Sequence, residues 1–358
     1  MPLDFVDSQS LSPALCGLFG APVLAMESTG SGWSDGQIHF WISIARLACV
    51  TILPGLLWLL WNSTFLTERK RNAAIIGGMV RTLFSLGADL ALVHAGVYRY
   101  ALDNMLYQGV PVDVHITYGC LLGTALCLIW EHAGSLLRPI LLLLAIAGAI
   151  MWNRWLVSSA NIITPLAPEW QRWDIPVQCA LPVITVIFYK LVDENRALML
   201  RSIVYAFGYF AVFYFLIPSM ILSSTTLGEV IFPSAQWRTA VVAICVLSVP
   251  GAWAAGQFAV SGRGTPLPLD PTHKLIVTGP YAFVRNPMQI SGLGVSVVWA
   301  VSTSAIGLWI YVAVLFIAVQ FTKIHEEDNL HRRFGDRYKK YCRNVWLWVP
   351  RLWPYEEE

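Results

Sequence analysis

In 358 residues this chain carries 56% hydrophobic side chains and only 13% charged ones, where a soluble domain carries about 25% charged. That balance excludes a disordered chain, a collagen and an ordinary soluble enzyme, and implies an integral membrane protein. A formal net charge of +2 is too near neutral for a nucleic-acid binder.

The opening MPLDFVDSQS holds two aspartates and no lysine or arginine, so it lacks the basic start of a signal peptide. Residues 11–26 are mildly apolar but broken by Pro13, Gly17, Gly20 and Pro22, and 1–37 read as a non-cytoplasmic segment. A membrane helix needs about 20 mostly apolar residues. Runs of that kind lie at 38–61, 74–96, 115–132, 138–152, 176–192, 202–223 and 238–258. The run 290–321 is too long for one span, at about 48 Å of helix. Val301-Ser302-Thr303-Ser304-Ala305-Ile306-Gly307 offers a turn in its middle, so it reads as a helical hairpin. Nothing shows the alternation of a membrane barrel. The expected fold is an all-α polytopic membrane protein: about seven transmembrane helices, a C-terminal helical hairpin and a cytoplasmic tail. The expected domains are a bundle over 38–230 and a C-terminal module over 231–358.

Basic residues orient the spans. Arg69, Lys70 and Arg71 follow the first span; Lys190, Arg196 and Arg201 lie about the end of the fifth; Arg263, Lys274 and Arg285 follow the seventh. The tail carries eight more, from Lys323 to Arg351. All fall on one side if the N-terminus is outside and the C-terminus cytoplasmic. This fits a bacterial inner membrane, with the endoplasmic reticulum as the other candidate. The bundle also holds intramembrane ionisable groups, Arg46, Arg81, Asp89 and His94, which should face its interior. Arg81 and Asp89 share a side of one helix without meeting, and Arg46 is a candidate partner for Asp89 across helices. The stretch 153–175, rich in tryptophan, reads as a lid over the outer face. The seven cysteines are scattered without a CxxC, as small apolar filler. HEEDNLH lacks the spacing of HExxH, so no metal centre is expected.

Chemistry concentrates in the last hundred residues. Loop 261–289, SGRGTPLPLDPTHKLIVTGPYAFVRNPMQ, is proline- and glycine-rich and non-helical until the hairpin begins. Beyond the hairpin stand Glu326 and Glu327, then LHRRFGDRYKKYCRNVWLWVP. Acids at a helix end oppose its dipole; if the helix runs on, Glu327 can pair with a basic side chain instead. A carboxylate pair suits cationic groups of a ligand, and Arg285 suits a carboxylate.

GPYAFVRNPM, a membrane hairpin and EEDNLHRRFGDRYKKYCRNV…VP together resemble the C-terminal signature of the isoprenylcysteine carboxyl methyltransferase and phospholipid methyltransferase superfamily, over about residues 262–350. Gly279, Pro280 and Tyr281 match its GPY turn, and Arg285, Asn286 and Pro287 its Arg-His/Asn-Pro element. Glu326 and Glu327 match its acidic pair; Gly335, Tyr338, Tyr341 and Pro350 match its tail. The resemblance implies S-adenosylmethionine as methyl donor and a lipophilic or lipid-modified acceptor in the membrane: a prenyl-cysteine carboxylate, a phospholipid amine, a thiol or an isoprenoid. It implies Glu326, Glu327 and Arg285 as the catalytic set. The donor would be held by these with Gly279, Pro280, Tyr281, Asn286, Pro287 and Gly292. Where the family carries RHPxYxG, this chain has Gln289 and Ser291, with Gly292 one place late. Gln289, Tyr338 and Tyr341 are then substrate candidates, and the acceptor chemistry stays open. Two other readings are an NADPH-dependent sterol or isoprenoid reductase, whose tail is similar, and a non-catalytic scaffold or transporter. Oligomeric state is not legible.

Overall fold

The computed structural model describes residues 66–101, 106–158, 162–224, 234–267, 269–270, 272–303 and 305–357. The expected N-terminal segment, the span 38–61 and Arg46 lie outside the described residues. Seven of the described helices are long and apolar enough to cross a membrane, so the chain is an integral membrane protein. It divides between Asp193 and Glu194 into two compact units.

The first unit holds α1 (Glu68–His94), α2 (Val112–His132), α3 (Leu137–Ser158) and α4 (Gln171–Asp193). Each lies on an expected span and starts before it, because a polar first turn extends a helix beyond its hydrocarbon length, while α1 stops at His94, two residues short of the expected end. Thr67 caps α1 by accepting from the Lys70 amide. Helices α1 and α2 approach to backbone contact: a side chain added at Gly123 would meet the Gly78 Cα 2.7 Å away. Such small-residue crossings let membrane helices associate through close packing. Two short antiparallel ribbons add to the helical fold. One pairs β1 (Tyr98–Tyr100) with β4 (Ile163–Pro165); the other pairs β2 (Leu106–Tyr107) with β3 (Val110–Pro111). Gln108 (φ 49°) and Gly109 (φ 81°) supply the two left-handed residues that the tight hairpin between β2 and β3 requires.

The polar residues of this unit are tied at both ends. Asp89 is 5% exposed and accepts from the Tyr98 hydroxyl at 2.8 Å and from the Tyr100 hydroxyl. His115 Nε2 lies 3.1 Å from Oδ2, the oxygen that also accepts from Tyr100. At the opposite end of α1, Lys70 pairs with Glu131, which also accepts from Tyr189 at 2.6 Å. Two expectations need correction. His94 is exposed and sits in the last turn of α1, with Nδ1 2.8 Å from the Leu90 carbonyl oxygen; a terminal turn places it outside the packed interior. The expected 153–175 lid is shorter, since α3 continues to Ser158 and α4 starts at Gln171; Trp170 between them is buried beneath β1 and β4. Replacing Asp89 by asparagine removes the charge from a buried group that receives several donors, an effect of about 1–3 kcal/mol. Denaturant unfolding of the purified variant should show that loss, and an unchanged midpoint would contradict it.

The second unit begins with α5 (Leu198–Ala211), a π-helical turn (Val212–Leu216) and α6 (Ile217–Ser224), which together replace one expected span. Then come α7 (Ser234–Val260), a 3₁₀ turn (Gly279–Ala282), α8 (Pro287–Thr303) and α9 (Ile306–Asn344). Helices α8 and α9 are the expected hairpin. Pro287 opens α8, where a missing N–H costs nothing and the ring presets φ. Helix α9 does not stop at the membrane edge but runs on for 39 residues in all, broken only at Gly335 (φ 54°, ψ −128°). Arg201 is no loop cation, contrary to the expectation from the sequence. It instead lies inside α5, fully buried, with Nη1 on Asp270 at 2.7 Å and Nη2 on Asn195 at 2.8 Å. Thr265 closes the same knot through its hydroxyl, 2.9 Å from the Asp270 carbonyl oxygen.

Candidate functional site

The proline-rich loop reaches the foot of the hairpin through three anchors. Arg201 holds Asp270 and so fixes the loop's first half. The amides of His273 and Lys274 both donate to the Gly262 carbonyl, folding the loop back on itself. Leu275 and Val277 then pack among Tyr338, Tyr341 and Val345 from the far end of the chain. Gly279 has φ 61°, a left-handed backbone that an L side chain resists, and an added Cβ would press on Gln257 at 3.1 Å. Gln257 also accepts from Thr278 at 3.2 Å and from Ser261 at 2.9 Å, which pins the start of the GPY turn to α7. Gly279→Ala is therefore expected to cost about 1–2 kcal/mol in backbone strain and to loosen this turn. Unfolding titration of the variant checks this, and wild-type stability would contradict it.

The tail folds back over the turn. Backbone amides of Arg351 and Tyr355 donate to the Phe283 and Ala282 carbonyls, each at 2.9 Å, and the Arg285 amide donates to the Trp346 carbonyl at 3.0 Å. Tyr341 donates its hydroxyl to the Tyr281 carbonyl at 2.7 Å. The break at Gly335 is what allows this. A straight helix would carry Tyr338 and Tyr341 onward along its axis, whereas here both are buried against the loop.

Within this frame Arg285 and Glu327 meet. Arg285 Nη1 lies 2.7 Å from Glu327 Oε1 and also donates to Cys342 Sγ at 2.9 Å. Burial is the largest single influence and opposes the guanidinium charge, but Glu327, Cys342 and Tyr338 together outweigh it and hold the Arg285 pKa above its ordinary value. The Tyr338 hydroxyl lies 3.4 Å from the same carboxylate oxygen. The two glutamates diverge, as consecutive helical positions do. Glu326 points aside to Lys323 Nζ at 2.6 Å, with its side chain 47% exposed. Asn286 is 1% exposed.

Other expected residues sit elsewhere. Gly292 faces α5's π turn: a Cβ there would fall 1.7 Å from the Tyr214 hydroxyl. Its missing side chain serves helix packing, as does Ser291, which donates to the Leu247 carbonyl at 2.6 Å. Gln289 is half-buried in the first turn of α8. Arg201, Gln257 and Cys342 were not expected at the site. A single arginine in the apolar run LMLRSIVY carries a usable signal, because such a charge demands a buried partner. Gln257 and Cys342 carry none.

The donor set fits a small zwitterion. Arg285 Nε and Asn286 Nδ2 are buried donors with no hydrogen-bond partner in the protein, suited to a carboxylate. Glu327 supplies the opposite charge beside them. Residues 239–337 match the family model of phospholipid methyltransferase. Neither a curated protein nor a solved structure matches the chain.

Proposed function

We propose that the second unit is an S-adenosylmethionine-dependent methyltransferase module acting on a lipophilic acceptor from the cytoplasmic side of the membrane. The observation that carries this reading is the Arg285–Glu327 pair beside two unpaired buried donors, in a region matching a membrane methyltransferase family. Arg285 and Asn286 would hold the donor's carboxylate, and Glu327 its ammonium. The donor supplies a methyl group on a sulfonium, which leaves as a neutral thioether when the acceptor atom takes the methyl. A carboxylate or thiolate acceptor needs no base. A protonated amine loses one proton, which the exposed Glu326 carboxylate beside Glu327 can take and pass to solvent. The tail, closed over the turn, keeps water from the reacting atoms, and the hairpin offers a greasy acceptor an approach from the bilayer.

Incubating the purified chain in lipid nanodiscs with methyl-labelled S-adenosylmethionine tests this. Label should pass to the organic phase when membrane extract is added, and Glu327→Gln should abolish the transfer. Label that stays aqueous with every lipid fraction would overturn the reading.

A further inference from the structure

The hairpin carries a polar step inside the membrane that the donor site does not use. Its two helices are in register, since Ala300 packs with Leu308, and Val295 with Leu315 one layer on. At the far end Arg285 meets Glu327. Between these layers stand two glutamines: Gln320 is 14 residues on from Ile306, and Gln289 is 14 residues back from Thr303. They therefore lie at the same depth on facing helices. Gln320 Nε2 is buried with no hydrogen-bond partner, a costly arrangement where no water can enter. Lys323 follows one turn later on the same face and is only 8% exposed. Its ammonium has three protons, of which one goes to Glu326. Glu327 completes the stripe at the next turn.

An unpaired amide donor and a buried ammonium, side by side and two turns and one turn inward from Glu327, are built for oxygen. We infer that Gln320 and Lys323 form the acceptor's headgroup subsite, and that it takes a lipid bearing an anionic oxygen, carboxylate or phosphate, next to the methylated atom. Gln289 closes the subsite from α8 at the same level. This rests on the methyltransferase reading and narrows it. A plain thiol or an isoprenoid without an anionic group would leave both donors unmatched.

The test measures binding without donor, on the full chain in nanodiscs. The probes are labelled S-farnesyl-N-acetylcysteine, its neutral methyl ester, and a short-chain phosphatidylethanolamine. One of the two probes that bear an anionic oxygen should bind at least about tenfold more tightly than the methyl ester, which identifies carboxylate or phosphate as the source. Gln320→Leu and Lys323→Met should each weaken that probe about tenfold, the size of one charge-assisted hydrogen bond. The affinity for S-adenosylmethionine on the same preparations should stay within about twofold, which also shows the variants are folded. Failure of both the acid and the phosphatidylethanolamine to bind more tightly than the ester, or unchanged affinity in both variants, overturns the subsite. Weakening of S-adenosylmethionine in its place assigns these residues to the donor and overturns it too. Loss of S-adenosylmethionine binding by the unaltered chain counts against the methyltransferase reading alone, because the lipid probes are measured without it.

Discussion

Arg201→Met should destabilise the second unit by about 3–5 kcal/mol, the usual consequence of breaking a buried ion pair from one side. The guanidinium has no solvent exposure, and it holds both Asp270 and Asn195. Methionine, unbranched, apolar and shorter, leaves the Asp270 carboxylate, 14% exposed, without its cation. Asp270 also carries the Thr265 contacts that shape the first half of the proline-rich loop, so the loop should lose order with it. Unfolding titrations of the purified variant check the magnitude. The double variant Arg201→Met with Asp270→Leu should recover much of the loss, because replacing both partners removes the stranded charge. A single variant as stable as the parent would show that the knot contributes nothing.

Glu327→Gln should weaken S-adenosylmethionine about 10- to 150-fold, the equivalent of one hydrogen bond to a charged group at about 1.5–3 kcal/mol. The substitution keeps the shape and removes the charge. Arg285 then loses its 2.7 Å partner, and the site loses the group that would receive the donor's ammonium. Glu326→Gln should change the same affinity less than about threefold, because its side chain is half-exposed and turned to Lys323. The contrast matters more than either number. Two adjacent carboxylates of identical chemistry are separated only by a helical turn of about 100°. Equal losses from the two substitutions would mean that they act as a pair, against the geometry.

Much of this architecture is legible in the chain itself. Spans at 74–96, 115–132, 138–152, 176–192 and 238–258 are long apolar runs, and the helices over them differ mainly in polar end turns. The hairpin of α8 and α9 is legible because a run too long for one span must turn. The interruption at Val212–Leu216 is not, since a π turn leaves the apolar pattern unbroken. The continuation of α9 through Glu326 and Glu327 is only half legible: the residues are good helix formers, but the acids argue for an end. At the site, the meeting of Arg285 with Glu327 follows from motif order alone, because the hairpin must bring the loop and the helix exit together. Long-range ties with no local pattern are invisible: Arg201 to Asp270, Tyr341 to the Tyr281 carbonyl, Gln257 to the GPY turn. Asp89 shows the same limit. Its burial is readable from an acid in an apolar run, but its partners Tyr98 and His115 are set by how α1, α2 and β1 pack. Gly292 shows the converse, a motif glycine whose role is packing against Tyr214.

Equilibrium dialysis of the detergent-purified full chain against labelled S-adenosylmethionine, with labelled NADPH in a parallel cell, tests the donor site most directly. Saturable binding of S-adenosylmethionine, weakened at least about tenfold in Glu327→Gln and kept within about threefold in Glu326→Gln, is the expected result. Saturable NADPH binding with no S-adenosylmethionine binding would contradict the methyltransferase reading and turn the same hairpin into that of a reductase.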